Sequence, residues 1–157
     1  MKKLWYQKKS SVEGNGLFAN QYISKGKRII QYTGDKVKKK IGYKRAEKHL
    51  PKIFIFELNH HYLIDGKVRW NPARFINHSC NPNCDIEIEN NEIWVISLKN
   101  IKKNQELNYN YGYSFDSVDV AEHPCRCGSK NCVGYIVREG SRWRINKKFK
   151  KTYRINR

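Results

Sequence analysis

The sequence has few acidic residues and no long apolar run. Only 14 Asp and Glu stand against 32 Lys and Arg, so the formal net charge is +18 over 157 residues. The longest compact apolar run, at residues 53–56, is as short as a strand, whereas a membrane-spanning helix needs about 20 apolar residues. The basic residues at 1–9 are not followed by an apolar stretch. We therefore expect neither a secretory signal nor a membrane contact.

The cysteines are too few, and odd in number, for a disulfide-bonded scaffold. Five cysteines cannot all pair within one chain. With no secretory signal expected, this favours an intracellular, reducing compartment in which thiolates are free to bind metal. A chain of 157 residues that is 39% hydrophobic and 13% aromatic is typical of one globular domain with a modest core.

The excess of positive charge indicates association with polyanions. A field of this sign attracts nucleic acid or complexes that contain it. Charge alone also fits a highly soluble surface or a compositional bias, so it predicts a kind of partner and not a reaction. The basic residues at 138–157 are interleaved with aromatics, which suits contact with phosphates and bases or a solvated tail.

Short β-forming runs separated by turns predict a mostly β domain. We expect strands at 29–33, 53–56 and 62–64, and a hairpin at 86–98 around the Asn90-Asn91 pair. Residues 36–52 carry many lysines and a poor apolar stripe, which predicts one short, exposed helix with a basic face. Pro51 should end that helix.

A cluster of thiols predicts a zinc site. Its members, in the segment CRCGSKNC, are Cys125, Cys127 and Cys132. Structural zinc takes four nitrogen or sulfur ligands in a tetrahedron, so a fourth ligand must come from elsewhere in the chain. Spacing alone leaves four candidates open: Cys80, Cys84, His78 and His123. The alternative is a group of reduced thiols without metal.

A row of tyrosines follows the middle of the chain. Tyr109, Tyr111 and Tyr113 occur at every second position, so in an extended segment their rings face one side. Phenols on one face can line a slot for an alkylammonium group through cation–π attraction and hydroxyl hydrogen bonds. A buried sheet face with hydroxyls near the surface is the simpler alternative.

Taken together, these segments resemble the SET-domain protein-lysine methyltransferases that carry a post-SET zinc-binding segment. In the family's order they are GNGLFA at 14–19, QYTGD at 31–35, RFINHSCNPNC at 74–84, ELNYNY at 106–111 and CRCGSKNC at 125–132. The third segment matches the signature RFxNHSCxPN without a gap and is highly specific, whereas the first two are weak alone. The resemblance covers about residues 14–132.

The resemblance implies a mostly β SET-domain β-clip fold with a pseudoknot, short helices and a small zinc-bound post-SET lobe. It places the SET domain at 10–115, the post-SET zinc segment at 121–137 and a basic C-terminal tail at 138–157. In the pseudoknot, the segment at 74–84 and the tyrosine strand are threaded through one another, an exception to unknotted connections.

The resemblance also implies the ligands and the residues that hold them. The methyl donor is S-adenosylmethionine, and the residues expected to bind it are Gly14, Asn15, Gly16, Phe54, Asn77, His78 and Arg126. The expected ligands of a structural Zn²⁺ are Cys80, Cys125, Cys127 and Cys132. This leaves Cys84 as the odd thiol, gives Tyr111 the position of the catalytic tyrosine, and gives Tyr109 the position that sizes the lysine pocket.

The implied reaction is an in-line transfer of a methyl group from a sulfonium to a neutral lysine amine. A phenol-lined channel favours the uncharged amine by desolvation and holds it in line. Because tyrosine at 109 leaves less room than phenylalanine, we expect mainly monomethylation. Three residues depart from the family's pattern: Gln31, Trp70 and Asn110.

The sequence therefore predicts a protein-lysine N-methyltransferase dependent on S-adenosylmethionine, acting on a histone or another nucleic-acid-associated protein. We expect a monomer, located in the nucleus or on chromatin in a eukaryotic cell, with DNA or RNA contact through its basic surface and tail. The alternative is a zinc-stabilised nucleic-acid-binding module without transfer activity. The presence of Asn77, His78 and Tyr111 favours the enzyme.

Overall fold

The fold is built from short strands, with one α-helix and three 3₁₀ turns, and it is described here by a computed structural model covering residues 3–115 and 120–148. The strands are β1 (Trp5–Lys9), β2 (Asn15–Ala19), β3 (Arg28–Gln31), β4 (Asp35–Lys38), β5 (Ile55–Glu57), β6 (Tyr62–Asp65), β7 (Asn77–His78), β8 (Cys84–Glu89), β9 (Glu92–Ser97) and β10 (Asn108–Tyr109). The helices are α1 (Lys39–His49) and 3₁₀ helices at Pro72–Phe75, Val120–Glu122 and Glu139–Arg144. The predicted mostly β class is confirmed, and no helix in the described residues is long and apolar enough to cross a membrane.

Four small sheets make up the domain. β1 pairs with β2, β3-β9-β8 and β4-β6-β5 form three-stranded sheets, and β7 pairs with β10. The predicted hairpin is β8–β9, and its turn residues Asn90 and Asn91 have φ of 51° and 59°. Asparagine tolerates this left-handed conformation, which matches the twist of a two-residue hairpin turn. The run at 53–56 is a strand only from Ile55, and this shift leaves Phe54 outside the sheet.

Helix α1 confirms the predicted basic helix. Gly42 is buried against the sheet. A Cβ at this position would lie only 2.4 Å from Leu63 Cδ1, so a side chain would not fit without a shift. Arg45 fixes the same side of the helix through its contacts with Asp35 at 3.2 Å and Asp65 at 3.1 Å. The opposite side faces solvent. After the helix the chain runs through Pro51 into the wall of the central cavity.

The pairing of β7 with β10 is the central contact of the fold. It is parallel, with Asn108 opposite Asn77 and Tyr109 opposite His78. Asn83 reinforces it, since its Nδ2 donates to the carbonyl of Glu106 at 2.7 Å. The pairing brings the segment at 74–84 against the tyrosine segment, as the expected pseudoknot requires. The core beneath it includes Leu17, Ile23, Ile30, Ile64, Ile76, Val95, Ile101 and Leu107.

The segment after the gap packs back onto the tyrosine segment. The backbone N–H of Arg138 donates to the carbonyl of Tyr113 at 2.9 Å, and Val137 is fully buried. The 3₁₀ helix Glu139–Arg144 then buries Ser141 and Arg142. The first part of the predicted basic tail is thus attached to the fold. Residues 149–157, which carry the other tail aromatics, lie outside the described residues.

Candidate active site and metal centre

One cavity of about 640 Å³ lies where β7, the tyrosine segment and the cysteine-rich segment meet, a size typical of small-molecule sites. Of the residues predicted from the sequence to bind cofactor or substrate, those lining it are Gly14, Asn15, Phe54, Asn77, His78, Tyr109, Tyr111 and Arg126. Gly16 is not among the lining residues. The cavity therefore brings together residues from widely separated parts of the chain.

The tyrosine row lies on one wall of the cavity, as the alternation predicted. Tyr109 and Tyr111 have ring centroids 5.0 Å apart, and Tyr111 and Tyr113 are 5.6 Å apart. Only Asn108–Tyr109 is a strand, yet the alternation persists beyond it. Burial raises the pKa of all three phenols above the usual value, so they are neutral donors and acceptors near pH 7. The hydroxyl of Tyr111 donates to the carbonyl of Ile76 at 2.9 Å.

The other wall is aromatic as well. Phe54 lines the cavity, and its carbonyl accepts a hydrogen bond of 2.9 Å from the Tyr32 hydroxyl. Tyr32 in turn packs edge-on against Phe56, which lies 5.8 Å from the Tyr109 ring. These contacts lock the aromatic side chains of both walls. Tyr32, Phe54 and the tyrosine row together give this part of the cavity an aromatic lining.

Asn77 ties the glycine loop to β7. Its Nδ2 lies 3.1 Å from the carbonyl oxygen of Glu13 and 3.2 Å from that of Asn15. Gly14, between them, has φ of 50°, a left-handed conformation that glycine adopts without strain. No atom lies within 4 Å of where a Gly14 Cβ would be, so the backbone is open to a ligand. Open space beside Gly14, on a loop that lines a large cavity, leaves room for a nucleoside-type cofactor such as S-adenosylmethionine.

Glu106 is a site residue that the sequence reasoning missed. Its Oε1 accepts hydrogen bonds from Ser10 Oγ at 2.7 Å and from Asn77 Nδ2 at 2.9 Å. A Cβ on Gly16 would lie 2.4 Å from the same oxygen, so the glycine makes room for the carboxylate. Gly16 therefore contributes to the site by leaving room for the Glu106 carboxylate, and it does not line the cavity itself. The sequence signal that could have identified Glu106 is its position as the acidic first residue of the ELNYNY segment.

His78 links the tyrosine segment to the cysteines. Its Nδ1 accepts a hydrogen bond of 3.1 Å from the backbone N–H of Tyr111, and its Nε2 lies 3.4 Å from Cys80 Sγ. Burial, with a smaller contribution from the nearby Arg142 charge, lowers the pKa of His78 to about 4. The ring is thus neutral, and its contacts assign the proton to Nε2.

The four predicted cysteine ligands come together. The sulfurs of Cys80, Cys125, Cys127 and Cys132 all lie within 4.8 Å of one another, and Cys80 and Cys125 are 3.9 Å apart. Four thiolates around zinc at about 2.3 Å have sulfurs about 3.8 Å apart, so this set fits tetrahedral zinc. Asn131 adds a tie between the two segments, since its Nδ2 donates to the Cys80 carbonyl at 2.9 Å.

Two of the other candidate ligands, Cys84 and His123, do not belong to this cluster. Cys84 is fully buried in the core, and its thiol donates to Asn83 Oδ1 at 3.3 Å. Burial raises the Cys84 pKa to about 12, so it is a protonated core residue. His123 packs against the Tyr113 ring with centroids 4.9 Å apart.

Arg142 is a second residue that the sequence did not reveal, because it lies in a run of basic residues. It is only 2% exposed, although most arginines lie at the surface. Its Nε and Nη2 have no hydrogen-bond partner among residues 3–115 and 120–148. Its buried positive charge is near enough to His78 to help lower the pKa of that imidazole.

The three departures from the family pattern lie outside the cavity lining. Gln31 pairs with Trp94 in the β3–β9 ladder. Asn110 Oδ1 accepts a hydrogen bond of 3.0 Å from the Gly112 N–H and so shapes the turn after the tyrosine strand. Trp70 is 66% exposed. These substitutions leave the cavity intact.

Comparisons with known proteins agree with this geometry. The family model described as "SET domain" matches residues 14–112. Histone-lysine N-methyltransferase 2D of Homo sapiens is 34% identical over 134 residues, covering 81% of this chain and 2% of that protein. The H3 lysine-4 specific histone-lysine N-methyltransferase of Aspergillus oryzae is 34% identical over 136 residues, covering 82% of this chain and 11% of its own length.

Among solved structures, a humanized mutant of the Chaetomium thermophilum Polycomb Repressive Complex 2 bound to the inhibitor GSK126 superposes with a TM-score of 0.63. Its sequence identity is 32%, and the match covers 71% of this chain and 15% of the other. The chain thus spans only a small part of these larger proteins.

Proposed function

The chain belongs to the SET domain family, and from that premise we propose that it is a protein-lysine N-methyltransferase that uses S-adenosylmethionine. The observation that carries the proposal is the single cavity in which the tyrosine row meets Asn77, His78 and the cysteine cluster. One end of that cavity suits a polar cofactor and the other suits an alkylamine. Two substrates that react with each other need such a shared space.

The cofactor end is built from the glycine loop, β7 and the cysteine-rich segment. Bound S-adenosylmethionine would supply a methyl group on a sulfonium. Gly14 and Asn15 line the cavity, a Cβ on Gly14 would meet no atom within 4 Å, and Asn77 holds the loop in place. Phe54 and Arg126 also line the cavity. Zinc, held by the four cysteines, would stabilise the lobe that carries Arg126.

The lysine end is the slot between the tyrosine row and the aromatic wall. A lysine side chain there loses its water, which lowers its pKa and favours the neutral nucleophile. Tyr111 is positioned to orient it. Because its hydroxyl hydrogen is donated to the Ile76 carbonyl, its oxygen is free to accept an N–H from the amine. The amine lone pair is then left for the methyl group.

We propose that tyrosine at position 109 favours monomethylation. Tyr109 is 7% exposed, and its ring packs against those of Phe56 and Tyr111. A phenylalanine at this position would lack the hydroxyl and so leave space for a water molecule or a methyl group. We expect monomethyl-lysine as the main product.

The substrate we propose is a histone or another nucleic-acid-associated protein. The similar proteins described above are named histone-lysine methyltransferases. A +18 chain repels an isolated basic tail, so attraction to the target is better explained by DNA or RNA in the target complex. A nuclear or chromatin-associated location follows if the protein acts in a eukaryotic cell.

The test is methyl transfer from labelled S-adenosylmethionine to histones, nucleosomes and ribosomal proteins, with product states read by mass spectrometry. Wild type should label a protein at lysine, mainly as monomethyl-lysine. Tyr111→Phe should lower the rate by about 10²-fold or more, the usual range for a positioned acid–base or orienting group. Calorimetric binding of S-adenosylhomocysteine should be unchanged in this variant.

Two results would contradict the proposal. One is no label on any protein, which would favour the zinc-stabilised nucleic-acid-binding module. The other is an unaffected Tyr111→Phe variant. A product dominated by trimethyl-lysine would reject the monomethylation proposal alone.

A further inference from the structure

The solvent side of helix α1 carries a row of lysines. Lys40, Lys44 and Lys48 are spaced four residues apart, which places them on one side of the helix, and all three are exposed. At a rise of 1.5 Å per residue, neighbouring lysines are about 6 Å apart along the axis, and the row is about 12 Å long. We call these three residues the α1 lysine row.

The carboxylates around α1 are taken up by other cations. Arg45 contacts both Asp35 and Asp65, and Lys39 contacts Glu57 at 3.0 Å. The Glu57 carboxylate also accepts the Tyr43 hydroxyl at 2.7 Å. These contacts lie on the sheet side and flank of the helix. They anchor α1 without neutralising its outer side.

The α1 lysine row itself has no carboxylate within 4 Å among residues 3–115 and 120–148. Glu47 is the one acid of the helix, and it is exposed beside the row. Even with Glu47 counted, three lysines leave a net positive strip. Lys38, exposed at the end of β4, extends the positive charge at the start of the helix.

We propose that the α1 lysine row is a docking surface for the phosphate backbone of duplex DNA. Each DNA strand carries one phosphate per about 3.4 Å of helix axis, so a row of this length can face several successive phosphates. Aligned lysines without carboxylate partners gain most from such contact, because no ion pair has to break first. Binding of this kind is independent of base sequence.

The position of the row links docking to the cavity. The C-terminal end of α1 is held by the 2.9 Å contact of His49 Nδ1 with Lys67 Nζ, and Lys67 lines the cavity. Immediately after the helix, Pro51 to Phe54 also line the cavity. DNA on α1 would therefore lie close to the cavity. The choice of DNA as the polyanion rests on the proposed function, whereas the binding itself does not.

The experiment compares two triple variants with the same loss of charge. In the first, Lys40→Gln, Lys44→Gln and Lys48→Gln are combined, and glutamine keeps a good helix propensity. The matched control combines Lys99→Gln, Lys102→Gln and Lys103→Gln, which are exposed at the end of β9 in a different sheet. Binding to a fluorescent 30-base-pair DNA duplex is measured by anisotropy across a range of salt concentrations without cofactor. Circular dichroism checks folding.

Wild type should bind with an affinity that falls steeply with salt. The α1 variant should lower the slope of log K against log salt by about 2.7, the value for three lost phosphate contacts, and weaken binding at least about tenfold at 0.1 M salt. The control should change the slope by less than about one. Equal losses in both variants would show a general charge effect and overturn the proposal. So would an unchanged α1 variant, or tighter binding of polyglutamate than of DNA.

Methyl transfer separates this proposal from the proposed function. If both hold, the α1 variant should methylate a free peptide substrate at the wild-type rate and a DNA-bound form of the same substrate at least about fivefold more slowly. If no substrate is methylated at all, the DNA-binding result still stands by itself. Equal rates on the DNA-bound substrate would overturn the role of α1 in docking.

Discussion

Replacing Glu106 should weaken cofactor binding although the residue does not line the cavity. Glu106 accepts hydrogen bonds from both Ser10 and Asn77, and Asn77 in turn holds the backbone of the glycine loop. In Glu106→Ala both hydrogen bonds disappear, and Asn77 keeps only its contacts with the loop carbonyls. The loop and β7 should then move more independently.

The size of the effect follows from the two lost bonds. Hydrogen bonds to a charged group contribute about 1.5–3 kcal/mol each, and the half-buried position of Glu106 favours the lower end, so about 3 kcal/mol of stability is at risk. For a chain of this size, that is a fall in Tm of about 6–12 °C. If about 1 kcal/mol of it comes from positioning Asn77 for the cofactor, the affinity falls about fivefold.

The assay is isothermal titration calorimetry with S-adenosylhomocysteine, with Tm measured in parallel. Glu106→Gln keeps an acceptor oxygen but loses the charge, so it should show about half of each effect. Ser10→Ala is the matched control. It removes the other bond to the same carboxylate and leaves Asn77 in place, so its affinity should stay within about twofold of wild type.

Two outcomes would refute this reasoning. An unchanged affinity in Glu106→Ala, despite a lower Tm, would show that the carboxylate is structural alone. An affinity loss in Ser10→Ala as large as that in Glu106→Ala would show that Asn77 is not the residue through which Glu106 acts.

Two further predictions concern the metal and the buried phenols. Wild type should contain one zinc per chain in elemental analysis, and Cys127→Ser should lose it. Cys84→Ala should keep the zinc and lose only about 1–2 kcal/mol of stability from core packing. Equal zinc content in the two variants would contradict the cluster. Because burial raises the pKa of Tyr111 and of the other cavity tyrosines above 10, their contribution to stability is complete below about pH 10 and is lost as the pH rises towards the folded-state values. Phenolate absorbance should therefore show these tyrosines ionising only as the circular dichroism signal is lost, and ionisation near pH 10 in a folded chain would contradict their burial.

Local patterns in the sequence carried much of the fold and the site. The Asn90-Asn91 turn, the basic helix and the alternation of tyrosines depend on neighbouring residues, and each is found in the structure. The matched motifs also led to Cys80 as the fourth member of the cysteine cluster. Such features can be read from a chain because turn geometry, helix spacing and motif order are properties of the sequence itself.

Other features depended on contacts between distant segments. No spacing rule places Glu106 beside Ser10 and Asn77, because the three residues meet only when β7 pairs with the segment before β10. Arg142 looked like one more charge in a basic tail, and only the packing of Glu139–Arg144 against the fold buries it.

The charges of α1 show the same division most clearly. The composition already established that the chain is strongly basic, and it predicted attraction to polyanions. It could not separate the cations that are paired from those that are free, since pairing depends on which carboxylates the sheet brings to the helix. The three-stranded sheet β4-β6-β5 supplies Asp35, Asp65 and Glu57 to Arg45 and Lys39, and so leaves the α1 lysine row facing solvent. Charge is a property of the sequence, but where that charge is left uncompensated is decided by the packing.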